Sequence, residues 1–196
     1  MFRAILTTGA ALMVMACAPE ADTQAQERAE GFGLAAGQSF PDMSVTDASG
    51  EERRLSDLTG ENGLVLYFNR SIDWCPYCQT QVIDVNGAAD AFAERGFEVA
   101  VITYDPAEYA DWRDITINLL SDPDSALIDA FDVRDPLYTD PGHFAYGVPY
   151  PITYVIGADG VIIAKLWHEA GYGADGGYRE RITTDDILEV IDRSAG

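Results

Sequence analysis

The chain has 196 residues, with 33 acidic against 12 basic side chains and a formal net charge of −21. Its 47% hydrophobic and 11% aromatic content is enough for one packed core, and the length suits one domain with terminal extensions. The acidic excess argues against nucleic acid as a partner and against docking on anionic lipid through basic residues, because little here would neutralise phosphates.

Met1-Phe2-Arg3 is a short cationic start, and Ala4 to Ala16 runs mostly apolar. That stretch is too short to span a bilayer comfortably and reads as a signal peptide over residues 1–16. It ends Val14-Met15-Ala16-Cys17, which resembles the lipobox of bacterial lipoproteins. Cleavage before Cys17 would leave a cysteine carrying acyl chains, and several chains anchor a protein stably. Ordinary cleavage at Ala16-Cys17-Ala18 is the alternative. Residues 17–33, rich in Ala, Glu, Gln and Asp, read as a solvated tether, with the folded domain over 34–196. Export to the periplasmic or cell-envelope side would place the domain where disulfides form.

Phe40 to Gly50 suggests an N-terminal hairpin, and Leu55-Ser56-Asp57-Leu58 a short helical turn. Gly63 to Asn69 is a near-continuous apolar run, the mark of a strand buried on both faces. From Pro76, apolar residues at helical spacing predict one helix through Ala93, closed by Arg95-Gly96. Phe97 to Tyr104 is a second buried strand, Ala107 to Asp114 a helix and Ile117 to Leu120 a short strand. Pro123 to Phe131 reads as a helix capped by Asp122. After a long loop from Asp132 to Tyr150 come two strands, Ile152 to Ile156 and Val161 to Trp167, joined by Gly157-Ala158-Asp159-Gly160. Thr184-Asp185-Asp186 caps a last helix through Ile191. The order predicts an α/β fold with a mixed central sheet and helices on both faces.

Trp74-Cys75-Pro76-Tyr77-Cys78 stands where a buried strand meets a helix. Two cysteines three apart on a first helical turn can close a small ring. Cys75, at the helix N-terminus, would be the exposed thiolate that attacks, and Cys78, one turn in, the resolving thiol. Half a zinc site is a poor alternative, because only His143 and His168 exist and no second cysteine pair does. A purely structural bridge is another, but so short a ring stabilises little. The expected cofactor is therefore none beyond the Cys75–Cys78 disulfide itself, with no metal.

The run Tyr67 to Gln81, and the run Gly147-Val148-Pro149-Tyr150-Pro151-Ile152-Thr153-Tyr154-Val155-Ile156 with Asp159-Gly160, resemble the thioredoxin-fold redoxins related to alkyl hydroperoxide reductase and thiol-specific antioxidant proteins. The resemblance covers about Phe40 to Ile191. It implies a thioredoxin-like three-layer α/β/α sandwich with an N-terminal hairpin extension and an α-β-α insertion. It also implies that Pro151 is the cis-proline facing the cysteine pair.

The resemblance leaves more than one activity open. A thiol–disulfide oxidoreductase needs only the dithiol, the facing proline and a docking surface for protein or small-molecule thiols and disulfides, expected from Trp74, Tyr77 and Tyr150 with Arg70 nearby. A peroxiredoxin-like peroxidase, with Cys75 peroxidatic, needs a hydroxyl three residues before that cysteine and a proline further upstream. Ile72 and Phe68 stand there instead, with Ser71 one position off. A copper-binding thioredoxin fold using His143 is a weaker third reading. Tyr178-Arg179-Glu180-Arg181 resembles an aromatic–arginine segment of related redoxins and reads as surface charge.

Overall fold

A computed structural model describes residues 31–109 and 114–195. The expected signal peptide and Cys17 lie outside the described residues, as does part of the helix expected after Ala107. Seven strands form one sheet: β1 (Ser44–Asp47), β2 (Glu52–Arg54), β3 (Gly63–Phe68), β4 (Phe97–Thr103), β5 (Asn118–Ser121), β6 (Ile152–Gly157) and β7 (Ile162–Trp167). Their order is β2-β1-β5-β4-β3-β6-β7. The neighbours β3–β4 and β4–β5 run parallel, while β3–β6, β6–β7, β1–β5 and β1–β2 run antiparallel. This is the mixed sheet expected, with the N-terminal hairpin extending one edge.

Every residue of β3 and β6 is buried, because helices cover both faces of the sheet centre. The alternation of β3 divides the core. Leu64, Leu66 and Phe68 join one apolar cluster, and Val65 and Tyr67 the other.

Four α-helices are described: α1 (Pro76–Gly87), α2 (Ala89–Ala93), α3 (Ala126–Ala130) and α4 (Thr184–Ser194). The single helix expected after Cys75 is broken at Ala88 (φ −102°, ψ 6°). There the Asn86 side chain leaves the helix pattern to accept backbone N–H groups of Thr116 and Ile117. α3 begins three residues later than the sequence suggests. Ser125 adopts a left-handed conformation, and the Asp122 carboxylate reaches over it to accept from Leu127 and Ile128.

The cap of α4 is Thr183, one residue before the expected one, in a reciprocal box with Asp186. Thr183→Ala is expected to lower the unfolding free energy by about 1 kcal/mol, read from urea denaturation. The Thr183 hydroxyl and amide hold the Asp186 carboxyl below its usual range. Its contribution to stability is therefore present above the ordinary aspartate pKa and fades as pH falls.

Two loop crossings set the surroundings of the site. Phe32 is buried among Tyr150, Trp167 and Tyr172, with ring centroids 5.9, 4.7 and 4.5 Å away. Lys165 donates to its carbonyl at 2.6 Å. The packed domain thus begins at least two residues before Leu34, inside what the sequence presents as tether. Farther on, Gly171 and Gly177 cross so closely that a side chain on either would strike the other's backbone. Glycine there folds the 169–179 segment back on itself, ahead of Arg181.

Candidate active site

The loop after β3 is built by its own polar groups. The Asn69 amide nitrogen donates to the Cys78 carbonyl at 3.1 Å, joining the strand end to the first turn of α1. Asp105, just beyond β4, accepts from the Ile72 N–H at 2.7 Å and from the Ser71 hydroxyl at 2.8 Å. Burial pushes the Asp105 carboxyl up, and these donors oppose it. The Ser71 oxygen accepts in turn from the Asp73 and Trp74 amides. The Trp74 indole N–H donates to the Tyr104 hydroxyl at 2.9 Å. The turn that delivers Cys75 is therefore held on three sides.

Cys75 is the N-cap of α1 and Pro76 its first residue, where a missing N–H costs nothing. Cys75 and Cys78 are joined in a disulfide with Cα atoms 5.2 Å apart, and α1 is intact with the ring closed. Both cysteines are buried, Cys75 at 1% exposure and Cys78 at 0%. The exposed Cys75 of the sequence reading is thus corrected. The 177–183 segment closes over the pair. Its Arg181 Nη2 lies 3.2 Å from Cys78 Sγ and 3.9 Å from Cys75 Sγ.

Arg181 is the residue the sequence reading left on the surface. Its Nε and Nη1 are buried without hydrogen-bond partners. Burial, then repulsion from Arg70, pulls its pKa down to about 9, so it is still a cation at neutral pH. The Tyr-Arg-x-Arg segment just before the α4 cap was the available signal. Sequence spacing alone does not say which arginine turns inward.

Three other expected roles change. Arg70 is 1% exposed, ion-paired with the equally buried Asp135, and lies over the rings of Tyr178 (4.0 Å), Tyr138 (4.7 Å) and Trp74 (5.7 Å). It fastens the 132–150 loop to the cysteine loop and does not present itself to a substrate. Tyr150 is 2% exposed, and its hydroxyl donates toward the His168 and Gly177 carbonyls, so it is packing rather than docking surface. Pro151 does sit at the head of β6: Phe68 pairs with Ile152, which sets the proline at the same sheet end as Cys75. Its peptide bond is trans, however, as are all bonds among the described residues. Backbone pairing of Tyr150 with Val133 and the Arg134–Pro149 bridge hold this segment extended.

Beside the cysteine loop Tyr77 and Phe144 are exposed, with Trp74 half-buried against Phe144. Tyr77 also meets Tyr178, and a cleft of about 240 Å³ runs from Tyr77 along Thr80, Gln81 and Asp84 to Arg181. His143 accepts from the Ala145 N–H through Nδ1 and packs on Tyr138 and Phe144. Among the described residues no cluster of three His, Cys, Asp or Glu side chains could hold a metal ion.

The profile of the AhpC/TSA family matches residues 36–165. The chain is 25% identical over 151 residues to the thiol-disulfide oxidoreductase ResA of Bacillus anthracis, covering 75% of this chain and 78% of that protein. It is 28% identical over 172 residues to the 1-Cys peroxiredoxin PER1 of Hordeum vulgare, covering 82% and 72%. Among solved structures it is similar to the peroxidoxin BcpB of Mycobacterium tuberculosis, with a TM-score of 0.65 at 24% identity over 82% of this chain and 97% of that one. A Xylella fastidiosa PrxQ structure gives 0.65 at 20% identity over 85% and 100%. The sandwich is the thioredoxin-like α/β/α fold, its buried cysteine pair forms a redox-active disulfide that makes it an oxidoreductase, and the chain belongs to the AhpC/TSA family.

Proposed function

We propose that the protein is an exported thiol–disulfide oxidoreductase that exchanges disulfides through Cys75 and Cys78. The observation that carries this reading is the ring closed within the intact first turn of α1, with a cation held against both sulfurs. Attack on or by Cys75 can then be resolved by a neighbour already in reach. Substrates are protein or small-molecule thiols and disulfides, which meet the rim of Tyr77 and Phe144. The likeness to a ResA protein supports the exchange chemistry. The Met1–Cys17 pattern supports export and a lipid anchor on Cys17, which mass spectrometry of the mature N-terminus tests.

A peroxidase reading has one observation in its favour, the Arg181 guanidinium beside the sulfurs, where it could polarise a peroxide as well as steady a thiolate. Against it, the nearest upstream hydroxyl, Ser71, is committed to Asp105 and to two amides. The test is direct comparison. The reduced protein should accelerate exchange with a disulfide-bonded polypeptide such as insulin and lose its thiols only slowly to hydrogen peroxide in stopped flow. Fast, saturable loss to peroxide with no exchange would reverse the assignment.

A further inference from the structure

We infer that Arg181 poises the Cys75–Cys78 pair as an electron acceptor, whose disulfide oxidises partner dithiols by releasing Cys78 as an arginine-bound thiolate. The inference rests on the exchange reading above and adds the direction of electron flow.

The argument is one of local charge. Two guanidiniums repel each other at this site: that of Arg70 is fully buried, and that of the half-buried Arg181 has its Nε and Nη1 shut off from water. Arg70 has a buried carboxylate, Asp135. Among the described residues Arg181 has none. Asp84 lines the same cleft but is solvent-exposed and forms no ion pair with Arg181; Asp105, in the cysteine loop, is held by Ser71 and Ile72, and Asp73 is exposed. Tyr150 and Tyr178 also face Arg181, and burial pushes the Tyr150 hydroxyl up to about 12, so it supplies no charge at neutral pH. In the oxidised protein both sulfurs are neutral, so the buried cation is unbalanced. Reduction with retention of one thiolate supplies the missing charge. A group that favours the reduced form makes the disulfide a better oxidant.

The geometry also selects the leaving sulfur. A partner thiolate attacks Cys75 Sγ; the S–S bond breaks and its electron pair stays on Cys78 Sγ, 3.2 Å from Nη2. The partner's second thiolate then attacks the partner sulfur of the mixed disulfide and releases Cys75. The partner departs as a disulfide, having given up two electrons and two protons. One proton ends on Cys75 as a thiol, the other enters solvent, and Cys78 remains a thiolate. A leaving thiol of lower pKa leaves faster, so the cation promotes the first step as well as the equilibrium.

The test is the midpoint potential of the purified chain in dithiothreitol and glutathione buffers between pH 5 and 9, read by alkylation and mass. One proton taken up per reduction changes the equilibrium constant tenfold per pH unit, a slope of about 30 mV; two protons give about 59 mV. The wild type should show about 30 mV per pH unit around neutrality. Arg181→Gln should move the slope to about 59 mV and cut the equilibrium constant for reduction about 100-fold, while Arg181→Lys keeps most of the wild-type value. A wild-type slope of about 59 mV at neutral pH, or an unchanged constant in a folded Arg181→Gln protein, overturns the inference. If that variant fails to fold, the wild-type slope decides. No turnover enters the measurement, so absent exchange with the 30 mV slope sinks the exchange reading alone, and exchange with the 59 mV slope sinks the inference alone.

Discussion

Asp135→Leu should cost about 3–5 kcal/mol of unfolding free energy, because it leaves the Arg70 guanidinium buried without its counter-charge. Both side chains of the pair are 1% exposed, and Arg70 Nε already lacks a partner. Water cannot easily reach the stranded cation, since Tyr178, Tyr138 and Trp74 surround it. Removing both charges should recover much of the loss: Arg70→Met with Asp135→Leu replaces the pair by apolar volume among rings. The remainder is the hydrogen bond that Asp135 accepts from the Leu137 amide. Urea denaturation of the single and double variants measures the coupling. A double variant as unstable as the single one would show that the carboxylate acts through the loop backbone and not through Arg70.

Cys75→Ser should reduce disulfide exchange to the uncatalysed rate, whereas Cys78→Ser should keep the attacking sulfur and accumulate a mixed disulfide. The asymmetry follows from position. Both sulfurs are buried, but Cys75 caps the helix two residues before the exposed Tyr77, whereas Cys78 sits one turn inside against Arg181. A lone Cys78 would keep its arginine but have no path to a partner. Intact mass after incubation with a peptide disulfide reads the adduct, and a coupled assay reads turnover. Substantial turnover in Cys75→Ser, or an adduct on Cys78 rather than Cys75, would exchange the two roles.

The strands were the most legible part of the sequence. Continuous apolar runs such as Gly63–Phe68 occur because both sheet faces are covered, and that pattern survives without any knowledge of the neighbours. The cysteine motif was legible for a similar reason, since the ring is local. The misreadings concern groups whose environment comes from far along the chain. Arg70 meets Asp135, 65 residues on, and Arg181 reaches back more than 100 residues to the sulfurs. Nothing in the local pattern of either arginine marks it as buried. Exposure of Cys75 failed in the same way, because its cover arrives from the last loop. The break at Ala88 and the delayed start of α3 go with side-chain bonds that no spacing rule reads: Asn86 accepts from Thr116 and Ile117, about thirty residues on, and Asp122 accepts from Leu127 and Ile128 at the start of α3.

The seat of Phe32 has a practical consequence. A truncation starting at Leu34 would take away a ring that fills the space between Trp167 and Tyr172 and leave a void beside Tyr150, whose own chain leads into Pro151. Any cut upstream of the domain must fall before Phe32 to keep that plug in place.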